Sequence, residues 1–379
     1  MVKLFIPITL ISLTLLSDIY IFHRYINTSL IWRWMWWVPI GIVIAFFFYF
    51  IFFGRGWAED YGVMNVFLLL MSLVCIPKII FTIFSFIPKI GTHIGITLAL
   101  CIIGIILWGI TYGFTQFRIK EVVYESPTVP EGFDGYRIVQ ITDAHVGTFY
   151  GPYKHLLQKS VDSINNLKPD LICFVGDVEN FTPEELVTHK KALSSLHAKD
   201  GVFSIMGNHD YSSYLKISER ERHALVEMTR QTERSFGWEL LENENRIIRR
   251  GNDSIYVIGE ENWGLPPFPQ YGNIKKAIDG VDTDAFTLML SHDPNAWRNH
   301  VLPVFKPDIT LSGHTHGTQF SLFGWSPSSI AYKEWGGEFY NNKHNKKCLL
   351  NVSTGIGGNF PFRFGMPREA VVITLRHKD

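Results

Sequence analysis

Seven side chains of metal-ligand type fall in one order along the second part of this 379-residue chain. They are Asp143 and His145 (DAH), Asp177 (VGD), Asn208 (GNHD), His292 (SHD), and His314 and His316 (GHTH). Most follow an apolar run of strand character: RIVQIT, LICFV, VFSIM, FTLML and DITLS. Strands that end together deliver such residues into one crevice beyond their carboxyl ends. Taken singly, each has an ordinary alternative, since an Asp at a strand end can cap a following helix. Five in series do not share that explanation.

The donor types define the chemistry. Carboxylates, an amide carbonyl and neutral imidazoles, with no thiolate, form an O/N set suited to two divalent ions such as Mn, Zn or Fe. Two ions about 3.5–4 Å apart, bridged by a carboxylate, clamp the attacking and leaving oxygens of an in-line displacement at phosphorus. They also lower the pKa of a bridging water, so that hydroxide exists near neutral pH. His209, next to Asn208, is a spare imidazole that would protonate the leaving oxygen as general acid. Asp210 follows it directly and is expected to orient that ring.

With these motifs in place, the chain resembles the calcineurin-like metallophosphoesterases, whose signature reads D-x-H, G-D, G-N-H-[DE], an isolated His and G-H-x-H. Here the signature stands as Asp143-Ala-His145, Gly176-Asp177, Gly207-Asn208-His209-Asp210, His292 and Gly313-His314-Thr-His316. The likeness covers about residues 136 to 377. It implies one metal on Asp143, His145, Asp177 and His316, and a second on Asp177, Asn208, His292 and His314, with Asp177 bridging. It also implies a two-sheet sandwich flanked by helices. The run from Gly357 to Glu369, with Arg363 inside it, looks like the tail of the bacterial membrane-associated branch, near UDP-2,3-diacylglucosamine pyrophosphatase-like enzymes. Arg363 is a candidate contact for a substrate phosphate. Ser/Thr protein phosphatases continue G-D-x-V-D-R-G after the bridging Asp, whereas this chain reads Asp177-Val-Glu-Asn180-Phe-Thr, which argues against that subclass. Thr318 also departs from the branch, which has Gly there.

The elements that must carry this site divide the chain in two. Of 35 basic and 35 acidic side chains, only nine lie in the first 117 residues. Four apolar runs occur there, at about 4–22, 35–53, 63–86 and 94–114, each meeting or approaching the roughly 20 residues that cross a bilayer core. Trp32, Trp34, Trp36 and Trp37 precede the second run, as in an interfacial belt. No small-residue cleavage pattern follows the first run, so it reads as a retained helix rather than a signal peptide. Lys78 lies inside the third run, where an ionisable group is expected to snorkel or pair within the bundle. The expected organisation is therefore a four-helix transmembrane region (1–117), a joining segment (118–135) with a strand and a turn, and an α/β metallophosphoesterase domain (136–379). Helical patterns at Pro183 to Leu196 and Glu219 to Phe236 alternate with the strand runs.

An even number of spans puts the N-terminus and the catalytic domain on one side. That side carries Lys3, Arg55, Arg118 and Lys120, against Arg24, Arg33 and Lys89 opposite, and the positive-inside rule then favours a multi-pass cell-membrane protein with a cytosolic domain. The four cysteines form no disulfide framework. After residue 117 the chain is slightly acidic and has no basic stripe, so nucleic acid is not an expected partner. The expected partners are the bilayer and a phosphoester substrate. The reading is a membrane-bound, dimetal-dependent phosphoesterase acting on a phosphomonoester, phosphodiester or pyrophosphate, lipid-linked in the sharpest form. Two alternatives are a broad-specificity phosphodiesterase merely anchored to the membrane, and a non-catalytic sensor or scaffold that keeps the fold.

Overall fold

Long apolar runs fold as helices in the first part of the chain, and short β-branched runs fold as strands in the second. A computed structural model describes residues 2–26, 29–52, 61–341 and 347–378. The chain divides into two units, Met1–Tyr112 and Gly113–Asp379.

The first unit contains α1 (Val2–Tyr25), α2 (Leu30–Met35), α3 (Val38–Phe52), α4 (Tyr61–Ser85) and α5 (Gly91–Thr111). Four stretches are long and apolar enough to cross a membrane: Phe5–Tyr25, Leu30–Phe52, Gly62–Ser85 and Gly91–Thr115. The second starts before Met35 because the tryptophan-rich segment is itself helical, as α2. Phe53, Arg55, Glu59 and Asp60, which enter the span and charge readings above, lie outside the described residues. Helix α4 packs against α1, α3 and α5, and Ile11, Ile40, Val43, Phe67 and Met71 meet at the centre.

Lys78 of α4 pairs with the fully buried Asp18 of α1, Nζ to Oδ1 at 2.7 Å, and its Nζ lies 4.6 Å from the Trp36 ring centroid. A charge left alone in such surroundings is far costlier than a pair removed whole. We therefore expect Lys78→Leu to lower the unfolding free energy in detergent by about 3–5 kcal/mol. Asp18→Leu combined with Lys78→Leu should recover most of that loss. Equal losses in the single and double variants would show that the pair matters little.

In the second unit twelve strands are described: β1 (Phe117–Ser126), β2 (Arg137–Ile141), β3 (Leu171–Val175), β4 (Val202–Ile205), β5 (Glu239–Leu240), β6 (Glu244–Arg250), β7 (Asp253–Gly259), β8 (Phe286–Leu290), β9 (Ile309–Ser312), β10 (Gly337–Asn341), β11 (Cys348–Val352) and β12 (Arg368–His377). The longer helices are α6 (Lys154–Asn166), α7 (Glu184–Leu193) and α8 (Glu219–Ser235). One six-stranded sheet runs β1-β12-β2-β3-β4-β5 and the other β10-β11-β9-β8-β7-β6. Residues 118–135 carry β1, parallel to β12 along its full length, then a turn and the 3-10 turn Glu131–Phe133.

Side-chain alternation explains why the strand runs read as unbroken apolar stretches. In β3, Leu171, Cys173 and Val175 enter the core between the sheets, while Ile172 and Phe174 join the layer under the helices. In the second sheet, Ile255 and Val257 of β7 face inward, and Tyr256 and Ile258 face Ile274, Val301 and Phe305. Helix α6 covers the first sheet with Leu157, Val161 and Ile164, spaced four and three residues apart on one face. Helix α8 opens with a capping box between Ser218 and Glu221. The architecture is a two-sheet α/β sandwich flanked by helices, following four apolar helices in the chain. Strands β2, β3 and β4 are mutually parallel, as are β8 and β9, so the loops after them open at shared edges.

Candidate metal centre

The loops after β2, β3, β4, β8 and β9 carry the seven candidate ligands and His209. Donor atoms of Asp143, His145, Asp177 and His316 lie within 4.8 Å of one another, and so do those of Asp177, His292 and His314. Asp177 is common to both groups. Asn208 adjoins the second through Oδ1, which is 2.6 Å from His314 Nδ1. The Nε2 atoms of His145 and His316 face each other at 3.1 Å. All seven side chains are buried in full or nearly so.

Backbone geometry shows how firmly these groups are held. Asp143, His145, Asp177, His314 and His316 all have positive φ, at 52°, 42°, 55°, 71° and 50°. Non-glycine residues rarely adopt that region, and it persists only where the surroundings enforce it, commonly at functional sites. Close approach does part of the enforcing. A Cβ at Gly313 would collide with the side chains of Thr142 and Asp143, and one at Gly207 with Asp177. Glycine in the GNHD and GHTH motifs is therefore a packing requirement.

The electrostatics suit cations. Burial holds His145 and His316 well below the usual imidazole range and also lowers His314, so each ring favours its neutral form, with one nitrogen free to bind a cation. Burial pushes the Asp143 carboxyl up to about 7. For Asp177 burial acts upward too, but the imidazoles of His292, His209 and His145 outweigh it and keep the group ionised. Burial alone would lower His292, yet Asp177, with Oδ2 at 3.1 Å, raises it to about 10. Such oxygen and nitrogen donors, buried and converging, fit divalent ions.

Metal uptake should depend on pH. Below pH 10 His292 holds a proton, and near pH 7 Asp143 is partly protonated. Both protons must leave when these atoms bind a cation. Raising the pH from 6 to 8 should therefore tighten Mn²⁺ or Zn²⁺ binding and release protons. Calorimetric titration in buffers of differing ionisation heat checks this, and a pH-independent affinity would contradict it.

Two sequence expectations need correction. Asp210 does not orient His209. Its carboxylate accepts four backbone N–H groups, from Asp177 (2.8 Å), Val178 (2.9 Å), Glu179 (3.1 Å) and Gly207 (2.8 Å). It thus ties the β3 loop to the β4 loop. The His209 ring is instead placed by the Asn180 carbonyl, 2.6 Å from Nδ1. Arg363 does not present its guanidinium to a ligand either. It is fully buried and donates to the carbonyls of Thr354 (2.7 Å), Gly355 (3.2 Å) and Gly357 (2.6 Å). That loop in turn donates from Ile356 and Gly357 to the carbonyls of Thr142 and Asp143, so Arg363 acts on the centre by bracing Asp143.

Two tyrosines escaped the sequence reading. Tyr214 accepts a hydrogen bond from Asn208 Nδ2 at 2.7 Å and lies against the His209 ring, with centroids 4.4 Å apart. Tyr332 Oη is 2.8 Å from His314 Nε2. Both sit in loops outside any motif spacing, so no sequence signal marked them.

The sequence model of the calcineurin-like phosphoesterase family matches residues 136–318. This part of the chain is a calcineurin-like metallophosphoesterase domain. The chain is similar to a transmembrane protein with metallophosphoesterase domain from Danio rerio, 29% identical over 295 residues that cover 76% of this chain and 64% of that protein. It is 28% identical over 278 residues to the uncharacterized metallophosphoesterase YkuE of Bacillus subtilis, covering 70% of this chain and 90% of that one. To the UDP-2,3-diacylglucosamine pyrophosphatase LpxG of Chlamydia trachomatis it is 27% identical over 306 residues, covering 66% and 87%. It thus spans slightly less than two thirds of the zebrafish protein.

Proposed function

We propose that this chain is a membrane-bound, dimetal-dependent phosphoesterase whose substrate is a lipid-linked or membrane-proximal phosphoester or pyrophosphate. The observation that carries the reading is the pair of buried His/Asp groups that share Asp177, with His209 alongside. Divalent ions, when bound, polarise a phosphoryl oxygen and make a water acidic enough to supply the nucleophile near neutral pH. One would be held by Asp143, His145, Asp177 and His316, and the other by Asp177, Asn208, His292 and His314.

The chain's own residues supply positioning and a proton. The backbone N–H of His209 donates to Asp177 Oδ1 at 2.8 Å, which fixes the residue over the shared carboxylate. With Nδ1–H donating to Asn180, Nε2 is the nitrogen that carries a proton to the departing oxygen. Tyr214 and Tyr332 set the angles of Asn208 and His314. LpxG's name points to a nucleotide–sugar–lipid pyrophosphate, and the four apolar helices suit a substrate that stays in the bilayer. From the charge asymmetry of the loops, we place the catalytic domain on the cytosolic side.

The test is hydrolysis by detergent-purified full-length protein, with Mn²⁺, Zn²⁺ or Mg²⁺ restored after chelation. The substrates are p-nitrophenyl phosphate, bis-p-nitrophenyl phosphate and UDP-2,3-diacylglucosamine. Metal-restored activity strongest on the lipid pyrophosphate is expected. Faster turnover of soluble esters than of any lipid phosphate would remove the lipid-linked substrate, and no activity with metal bound would favour a scaffold.

A further inference from the structure

In the sheet domain, one surface loop breaks the usual rule for apolar side chains. Phe323 is 100% exposed and Ile330 79%, with Trp325 at 52% and Leu322 at 42%. Among the described residues of this domain, no other large apolar side chain exceeds 54%. Single exposed apolar residues are ordinary, but four within nine positions, two of them aromatic, form a patch that calls for a partner.

The backbone presents this patch deliberately. Leu322 and Trp325 exchange both backbone hydrogen bonds, at 2.9 and 3.0 Å, closing a two-residue turn. Phe323 and Gly324 at its tip have φ of 52° and 81°. Positive φ at both central positions is the turn that ordinarily takes Asn-Gly. Here the first position holds a phenylalanine, which loses both from the backbone geometry and from exposure to water. A residue unfavourable on both counts in water is matched to a non-aqueous neighbour.

The rear of the loop is bonded to the metal-site turn. Ser326 Oγ donates to the Gly317 carbonyl at 2.6 Å and Ser328 Oγ to that of Thr315 at 3.3 Å. Tyr332 closes the segment on His314. Whatever holds Phe323 therefore also fixes the depth of the GHTH turn.

The chain itself indicates the neighbour. The last bilayer-length stretch ends at Thr115, and β1 begins at Phe117, so the domain is tethered at a lipid surface. Residues 320–333 include no acidic side chain and end on the exposed Lys333. Tryptophan, phenylalanine and aliphatic residues rimmed by serine and lysine are the composition of segments that lie in the bilayer interface. We propose that the Leu322–Trp325 turn and Ile330 dip into the lipid surface and set the metal centre at the height of a lipid head group. This rests on the membrane-bound reading above.

The test uses the full-length chain in nanodiscs of zwitterionic and anionic phospholipid. A spin label is placed at Phe323→Cys, and separately at Ile330→Cys, in a Cys101→Ser background, since the other three cysteines are buried. Val187→Cys, on an exposed position of α7, is the aqueous control. Both loop labels should be several-fold more accessible to oxygen, relative to a water-soluble nickel chelate, than the control. A water-like ratio at both positions would overturn the proposal. So would exclusion of both reagents, which would mean a protein partner or a second copy. In a second arm, Phe323→Ser with Trp325→Ser should slow hydrolysis of a lipid pyrophosphate in vesicles by about tenfold or more and leave soluble diester hydrolysis unchanged. Equal vesicle rates would also overturn it. Label depth is read without turnover, so failure of the phosphoesterase reading and failure of membrane contact are told apart.

Discussion

Replacing Asp177 by Asn is expected to abolish metal-dependent phosphoester hydrolysis, with kcat/KM falling by more than about 10³-fold. Even groups that only support a metal ligand are worth about 10–100-fold in affinity or activity, and Asp177 belongs to both donor groups. The substitution keeps the shape and the carbonyl that accepts from His209 N–H. It removes the negative charge beside His292 Nε2, 3.1 Å away, and His145 Nε2, 3.6 Å away. Without that anion a cation in the crevice loses its one shared carboxylate, and His292 loses the partner that raises its pKa. Metal content after equilibrium dialysis should fall along with the rate. Circular dichroism should change little, because the substitution preserves volume and the backbone contact. A variant that retained both ions and came within tenfold of wild-type activity would remove Asp177 from the bridging role.

Much of this was legible in the residues because it is local. Leu171, Cys173 and Val175 face one core and Ile172 and Phe174 another, so β3 announces itself as an apolar run whatever the rest of the fold does. The same holds for the spacing that puts Asp177 two residues beyond the strand. The roles of Asp210 and Arg363 are not local. Asp210 finds amides of residues 177–179, more than thirty positions away, and a carboxylate beside a histidine gives no sign of that. Arg363 lies in a loop of ordinary composition, and only its carbonyl partners show that it is buried. The positive φ at five candidate ligands was equally hidden, since Asp and His do not advertise it as glycine does. Tyr214 and Tyr332 sit in loops where an aromatic has no expected orientation. Hence the ligand types were readable, whereas the groups that aim them were not.

The second large effect concerns the proton. His209 lies in neither donor group, although its ring is only 4.7 Å from that of His145, centroid to centroid. Its Nδ1 faces the Asn180 carbonyl, an arrangement that holds the ring in place. A positioned general acid contributes about 10²–10⁴-fold, and only where the leaving oxygen needs a proton. His209→Ala and His209→Gln should therefore slow hydrolysis of an alkyl phosphodiester by about 10²-fold or more, with metal content unchanged. Hydrolysis of bis-p-nitrophenyl phosphate should suffer far less, because p-nitrophenolate departs without protonation. Rates plotted against leaving-group pKa should thus fall more steeply for the variants than for the wild type. Equal losses on both esters, with parallel plots, would mean that His209 only donates a hydrogen bond to the phosphate. Partial rescue by imidazole in His209→Ala, confined to the alkyl ester, would tie the loss to the missing proton donor rather than to a disturbed loop.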